Sequence, residues 1–506
     1  MVREATDIAK MRAASREDNS MVFSSVTFIG VFLPLTLLIY YLSKNRAFRN
    51  AVLLAASLLF YAWGEPVYIL AMIAVTVIDY VFGLILGKTR SRAAGAWLLA
   101  LCVVLNLIPL VTFKYYNFFA SQIGALFHFT PRLLKAAMPI GISFFTFQSL
   151  SYAIDVYRKN AKTQRNYAYV LLYVSMFPQL IAGPIVRYSD VEDELVNRRE
   201  TAGNFTEGCF RFAIGFAKKV ILANYAGKVA AYLLGDLFSS LSVCGAWIGL
   251  VTASLQLYFD FSGYSDMAIG LGLMFGFHFK ENFRYPYISR SITEFWTRWH
   301  ISMSNWFRDY VMYPMAMSRP FAAFSRSVRR RMGVQMGSLI PSAVATVITF
   351  ALVGLWHGAD WNFILWGLFF AVFLVIEKIL KMKKLEFDKI PVLSNFVTLL
   401  IIMLGFVLFY FTDLSRIGHF YTVLLGMNGT AFLPGIREMS QINSIFWIFP
   451  LLILALMPWP AQLIRRVLGS GKTFVTARTV WSAALIALGF VMLLGQSFNP
   501  FIYFRF

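Results

Sequence analysis

Ser338-Leu-Ile-Pro-Ser-Ala-Val-Ala-Thr-Val-Ile-Thr-Phe-Ala-Leu-Val-Gly-Leu-Trp356 runs nineteen residues without a charge, and His357 follows it directly. A hydrocarbon core about 30 Å thick takes roughly 20 helical residues to cross, so this stretch has the length of one membrane span. Runs of the same kind recur at about 22–42, 51–63, 66–86, 95–113, 139–157, 167–186, 208–234, 243–261, 359–380, 394–412, 442–458 and 479–496. In lipid only helices and closed barrels satisfy their own backbone. A barrel shows segments of about 10 residues that alternate polar and apolar, whereas these runs are unbroken Leu, Ile, Val, Phe and Ala. The fold class is therefore an all-α polytopic membrane protein. Segment 51–63 is short for a span, and segment 208–234 carries Lys218 and Lys219 in mid-run, so about eleven true spans are expected.

Composition agrees. The 506 residues are 58% hydrophobic and 14% charged, against about 25% charged in soluble domains. A net charge of +21 invites a nucleic-acid reading, but Lys and Arg gather in the cytoplasmic loops of membrane proteins. No base-reading or phosphate-tracking module accompanies them. Cys102, Cys209 and Cys244 are scattered in apolar sequence and fit neither a disulfide framework nor a zinc site, so packing is their expected role. No metal site is expected.

Residues 1–20 are polar and mixed in charge and lack an apolar core. They read as a polar N-terminal extension rather than a signal peptide, with translation starting at Met1 or Met21. No internal repeat divides the rest, so 21–506 reads as one membrane-embedded domain. Loops 43–50, 87–94, 158–166, 378–389 and 461–478 are basic, whereas 64–66 and 413–441 are not. The positive-inside rule puts the first group in the cytoplasm and the tail 498–506 outside.

Between Lys280 and Arg331 lie ten Lys or Arg residues mixed with many aromatics. That is too polar for a span and too apolar for a plain loop, and it fits interfacial or re-entrant helices around a cavity. An ionisable residue at membrane depth is costly and points to function by default. Two of the five histidines have such surroundings: His300 in Phe295-Trp-Thr-Arg-Trp-His-Ile-Ser-Met-Ser304 and His357 in Gly354-Leu-Trp-His-Gly-Ala-Asp-Trp-Asn-Phe363.

A helix over 294–310 would put Trp296, His300, Ser304 and Phe307 on one face, with Trp299 on the neighbouring stripe. Arg308 would then reach a headgroup, a carboxylate or a phosphate. The plainer reading is an interfacial helix whose histidine only hydrogen-bonds. Around His357, Gly354 and Gly358 weaken the helix, Trp356, Trp361 and Trp366 wall the ring, and Asp360 and Asn362 can fix its tautomer. Desolvation would keep this imidazole neutral, which suits a general base. The bland alternative is a satisfied histidine at a helix break. Asp260, in Phe259-Asp-Phe-Ser-Gly-Tyr-Ser-Asp-Met267, can line the cavity or orient a histidine. Gln179 sits at membrane depth in the broken Phe177-Pro-Gln-Leu-Ile-Ala-Gly-Pro-Ile185, a pattern more often architectural than chemical. Asn282-Phe-Arg-Tyr-Pro-Tyr-Ile-Ser289 reads as a rigid aromatic turn.

Together with Trp306-Phe-Arg-Asp-Tyr310, these motifs make the chain from Met21 to Phe506 resemble the membrane-bound O-acyltransferase (MBOAT) family, in its alginate O-acetyltransferase-like branch. The resemblance implies a ring of transmembrane helices, with re-entrant or interfacial helices, around a central catalytic tunnel. It implies His357 as the essential catalytic residue and His300 as the second. Trp296, Trp299, Ser304, Arg308, Trp356, Asp360, Asn362, Asp260 and Gln179 are the candidate substrate-binding residues. The implied donor is acetyl-CoA or another cytosolic acyl thioester, with no bound cofactor. The implied setting is a bacterial inner membrane, with the lipid bilayer and an extracytoplasmic esterase-like (SGNH) acetyltransferase as partners and no nucleic acid. After Tyr313-Pro the alginate-type pattern usually continues Leu-Gly-Gly, where this chain has Met315-Ala-Met-Ser-Arg-Pro320; alginate itself is therefore not implied.

Two other readings compete. D-alanyl transfer to teichoic acid from a carrier protein belongs to a branch that shares both histidine motifs. A transporter would also have broken helices and a midplane polar site, yet no paired discontinuous segments recur in two halves. The charge pattern makes a direct prediction. Single cysteines placed in loops 43–50, 87–94, 158–166 and 378–389 should react with an impermeant maleimide only from the cytoplasmic side, and one at position 506 only from outside. Labelling of position 506 from the cytoplasm would invert the orientation.

Overall fold

The structure is a computed structural model that describes residues 21–181, 183–385, 389–427, 429–468, 472–494 and 501. The expected extension at 1–20 and residue 506 lie outside the described residues. Among the described residues every regular element is helical. Eight helices are long and apolar enough to cross a membrane: Arg46–Gly64, Ile69–Lys88, Arg92–Leu126, Val243–Met274, Arg319–His357, Trp361–Met382, Pro391–Tyr410 and Phe474–Leu494. A bent pair, Ile436–Phe446 and Phe449–Ala455, makes a ninth if its 57° break is crossed as one span. The chain is a polytopic all-helical membrane protein.

Local chemistry sets several of these boundaries. The Asn45 side chain accepts from the Ala47 and Phe48 N–H groups, as N-cap residues do. That cap draws Arg46–Asn50 into a helix whose apolar part alone, 51–63, is too short to span. Ser91, Ser318 and Asp360 cap Arg92–Leu110, Arg319–His357 and Trp361–Met382 in the same way. Runs that hydropathy shows as continuous account for the difference from eleven. The run 22–42 contains a π-helical stretch at Phe28–Phe32 followed by Leu33–Tyr41. The run 167–186 stops at Ser175, and a single turn, Phe177–Leu180, follows with Pro178 in it. The run 208–234 is interrupted by π-helical stretches at Lys218–Ala223 and Tyr232–Asp236.

The fold divides into two compact units interleaved along the chain, the first drawn from Met1–Phe216, Tyr264–Lys280 and Ser482–Arg505 and the second from Ala217–Gly263 and Glu281–Trp481. Buried polar groups tie the first unit together. On helix Ile69–Lys88, Asp79 accepts from Asn106 Nδ2 at 2.9 Å, from the Cys102 thiol at 3.2 Å and from the Ser149 hydroxyl. Cys102 is thus a buried donor as well as a packing residue. Glu200 gathers Arg46, Arg49 (2.6 Å), Arg198 (3.4 Å) and the Tyr40 hydroxyl (2.6 Å). Arg198 also donates to the Phe275 carbonyl at 3.0 Å and lies over the Phe277 ring.

In the second unit, helices Arg319–His357 and Trp361–Met382 meet across the three-residue turn Gly358–Asp360. A Cβ on Gly354 would lie 2.2 Å from the Phe363 carbonyl oxygen, and one on Gly367 would lie 2.1 Å from that of Phe350. These glycines therefore bring two helix backbones into contact. At Gly333 (φ 82°, ψ 177°) the backbone leaves helical geometry, so Arg319–His357 is two helices joined at that residue.

Glu200 yields a stability prediction. Burial disfavours its charge, but the hydrogen bonds from Arg46 and Tyr40 outweigh that and hold the carboxyl at about 2. A depressed folded-state pKa means stability present above the ordinary carboxylate range and lost only as pH falls toward 2. Glu200→Gln leaves the fully buried Arg198 guanidinium uncompensated and should cost about 3 kcal/mol. Thermal unfolding in detergent should show a clearly lowered midpoint at pH 7. An unchanged midpoint would show that the arginines do not depend on this carboxylate.

Candidate active site

His300 does not lie inside a helix. The expected helix over 294–310 is two short ones, Ile292–Arg298 and Ile301–Phe307, joined at Trp299 and His300. His300 has φ 43° and ψ 53°, a left-handed conformation that costs a residue with a side chain roughly 1–2 kcal/mol. Acceptors from a segment eighteen residues earlier hold it there. The Ile301 N–H donates to the Asn282 carbonyl at 2.9 Å, and the Ser302 N–H and Oγ–H donate to Asn282 Oδ1 at 3.1 and 2.8 Å. The Arg284 N–H donates to the Arg298 carbonyl, and Arg298 Nη1 donates back to the Arg284 carbonyl. Asn282 therefore caps the second helix from outside. The break removes the single face expected to carry Trp296, His300, Ser304 and Phe307. Ser304 only continues the helix, donating its N–H to the His300 carbonyl; Ser302 is the hydroxyl that shares Asn282 with His300.

The same amide decides the chemistry of the ring. His300 is 0% exposed, and its Nδ1 lies 3.2 Å from Asn282 Oδ1. A backbone N–H can only donate, so the atom that receives Ser302 N–H is the oxygen, and Nδ1 must carry the imidazole proton. The lone pair then sits on Nε2, which is buried and has no hydrogen-bond partner among the described residues. Burial pushes the imidazolium down to about 3. A neutral His300 in this tautomer accepts at Nε2 and cannot donate there.

His357 ends helix Arg319–His357, just before Gly358. It is 5% exposed, with Trp356, Trp366 and Phe409 rings at 4.8, 5.0 and 5.2 Å, each near edge-on. The Trp356 ring also lies 5.9 Å from that of His300, so the two histidines meet on one indole. Phe261 closes the other side of His300 at 4.6 Å. Asn362 Nδ2 donates to the Leu408 carbonyl at 3.0 Å, next to Phe409, and so ties two helices beside the His357 ring. Asp360 caps the following helix through the Trp361 N–H at 2.7 Å. Trp361 itself is 46% exposed.

The remaining candidates scatter. Trp296 packs on Phe350, Trp366 and Phe370, close to His357. Trp299 is a core aromatic among Phe283, Phe295 and Phe406. Arg308 is exposed and pairs with its neighbour Asp309 at 2.9 Å. Asp260 pairs with Lys219 at 2.6 Å, both buried, which also answers for the lysine in mid-run. Gln179 belongs to the first unit, where its amide donates to the Tyr173 carbonyl. Sequence reasoning did not select Asn282, Ser302 or Phe409 as site residues, whereas Trp366 walls His357 as the sequence suggested. Asn282 opens one of the quoted motifs, but nothing in its spacing pointed to a histidine eighteen residues on.

The chain is similar to known proteins along most of its length. The family model described as MBOAT, membrane-bound O-acyltransferase family, matches residues 93–412, a range that includes every candidate residue. A probable alginate O-acetylase of Azotobacter vinelandii is 42% identical over 410 residues, covering 80% of this chain and 78% of its own. The probable alginate O-acetylase of Pseudomonas putida is 38% identical over 516 residues, covering 96% and 100%. A peptidoglycan O-acetyltransferase of Helicobacter pylori is 28% identical over 534 residues, covering 96% and 98%.

Removing the shared acceptor tests the break. Asn282→Ala strands the Ser302 N–H and His300 Nδ1–H and should cost about 1–3 kcal/mol, read as a lower midpoint in detergent thermal unfolding. Asn282→Asp keeps an acceptor at the same place and should recover most of that loss. Equal midpoints for wild type and Asn282→Ala would mean that the amide does not hold the break.

Proposed function

This chain belongs to the membrane-bound O-acyltransferase family, and we propose that it transfers acetyl from a cytosolic thioester across the membrane toward hydroxyls of an extracytoplasmic polysaccharide. It is an O-acyltransferase and a multi-pass membrane protein with bacterial relatives. The observation that carries the reading is the pair of buried imidazoles that meet at Trp356, within a chain similar along most of its length to O-acetylating relatives.

In this reading His357 takes the proton of an acceptor hydroxyl as its oxygen attacks the thioester carbonyl. The C–O bond forms and the carbonyl electron pair moves onto oxygen. When the tetrahedral species collapses, the C–S bond breaks and the proton passes from His357 to the leaving thiolate. His300, which accepts at Nε2, holds a neighbouring O–H or N–H of the substrates; polarising the carbonyl would require a donor that its tautomer lacks. Aromatic walls around His357 exclude water, which would otherwise hydrolyse the thioester. The donor is acetyl-CoA or another acyl thioester, the setting a bacterial inner membrane, and an extracytoplasmic esterase-like (SGNH) acetyltransferase would complete delivery to the polymer.

The test is incorporation of radiolabelled acetyl from acetyl-CoA into surface polysaccharide, in membranes matched for protein by immunoblot. His357→Ala should lose ~10²–10⁴ in rate, and His300→Ala should lose less. Near wild-type transfer by His357→Ala would overturn the assignment. A wild type that leaves the thioester intact would favour a transporter.

A further inference from the structure

If His300 cannot donate to the thioester carbonyl, the charge that develops on its oxygen needs other donors. Three of the buried donors in the second unit that have no hydrogen-bond partner among the described residues are Trp366 Nε1, Trp296 Nε1 and Thr349 Oγ1. Their residues are 2%, 7% and 4% exposed. A buried donor left unmade costs about 1–3 kcal/mol, and such exceptions need a reason. Packing alone gives none, because it uses the carbon surface of these side chains and not their N–H or O–H. Trp247, elsewhere in the unit, donates its indole N–H to the Leu424 carbonyl at 3.1 Å.

Trp366 lies beside the His357 imidazole, and the other two connect to it through packing and a shared helix face. The Trp366 ring lies 5.0 Å from His357 and 5.7 Å from Trp296. Trp296 packs on Phe350, the residue after Thr349. Thr349, Val353 and His357 follow at i, i+4 and i+8 on one face of helix Arg319–His357, so the hydroxyl shares the face that carries the histidine. One unspent donor thus lies against the group that would hold the attacking hydroxyl, with two more on the elements packed around it.

We propose that the indole N–H groups of Trp366 and Trp296 form the donor pair for the acyl thioester's carbonyl oxygen, with the Thr349 hydroxyl as the third donor in the same pocket. This rests on the acyl-transfer reading with His357 as base. As the acceptor oxygen attacks, the carbonyl pair moves onto an oxygen held by the indoles. The pair returns when the C–S bond breaks, and the proton held by His357 goes to the thiolate. Preorganised donors of this kind act most strongly where water is excluded.

Trp366→Phe and Trp296→Phe keep a ring and delete only the indole's donor-bearing part. With purified protein and acetyl-CoA, Trp366→Phe should lower kcat ~10²–10³-fold, leave KM within about threefold, and leave the thermal midpoint unchanged or higher. Trp296→Phe should act in the same direction. Trp247→Phe, which removes a spent donor, should lower the midpoint and leave kcat unchanged. Wild-type kcat in Trp366→Phe would overturn the proposal, and so would a kcat loss that tracks a fallen midpoint, since that marks a structural role. A different outcome marks failure of the underlying reading: His357→Ala as active as wild type in the same assay.

Discussion

The second unit depends on a local constraint. A helix broken in apolar surroundings frees N–H groups, and each must find an acceptor inside the protein. At His300 the acceptors come from Asn282, whose carbonyl and carboxamide oxygen take the Ile301 and Ser302 N–H groups. Because that carboxamide also faces Nδ1 of His300, one side chain settles the backbone turn, the orientation of the ring and its tautomer. The left-handed strain at His300 is thus held by the same contacts that prepare its lone pair. A positioned, neutral imidazole follows from how the break is satisfied.

Charge is handled quite differently away from the histidines. Lys219 and Asp260, Arg211 and Asp266, and the arginines around Glu200 bring opposite charges together. Pairing of this kind removes the penalty of an uncompensated charge but adds little net stability. It marks these groups as architecture. The histidines are walled by aromatic rings, and His300 Nε2 and the indoles of Trp296 and Trp366 are left unspent. Under the proposed function, those unspent groups are the ones offered to a substrate.

Glycine carries the second constraint. Gly354 and Gly367 let helices Arg319–His357 and Trp361–Met382 touch backbone to backbone, which sets Trp366 against His357. In the sequence the glycine before His357 reads as a weak point in a helix. In the fold it is a close approach that builds the wall of the pocket, and the helix continues through it to His357.

What the sequence by itself determined is what depends on local cost. Apolar runs near 20 residues require helices across lipid, and two histidines in tryptophan-rich apolar surroundings are costly enough to single out. Hydropathy also marked the polar middle third as something other than a span. Tertiary structure alone decided the rest. Periodicity carried one helix from 294 to 310, because the residue pattern contains no breaker there; the acceptors that permit the break lie on Asn282. It chose Ser304 where Ser302 is the neighbour, left Lys219 without its partner Asp260, and did not find Phe409 beside His357. Each of these turns on a contact between residues eighteen or more positions apart or on a broken register, and spacing along a chain does not encode which distant donor meets which acceptor.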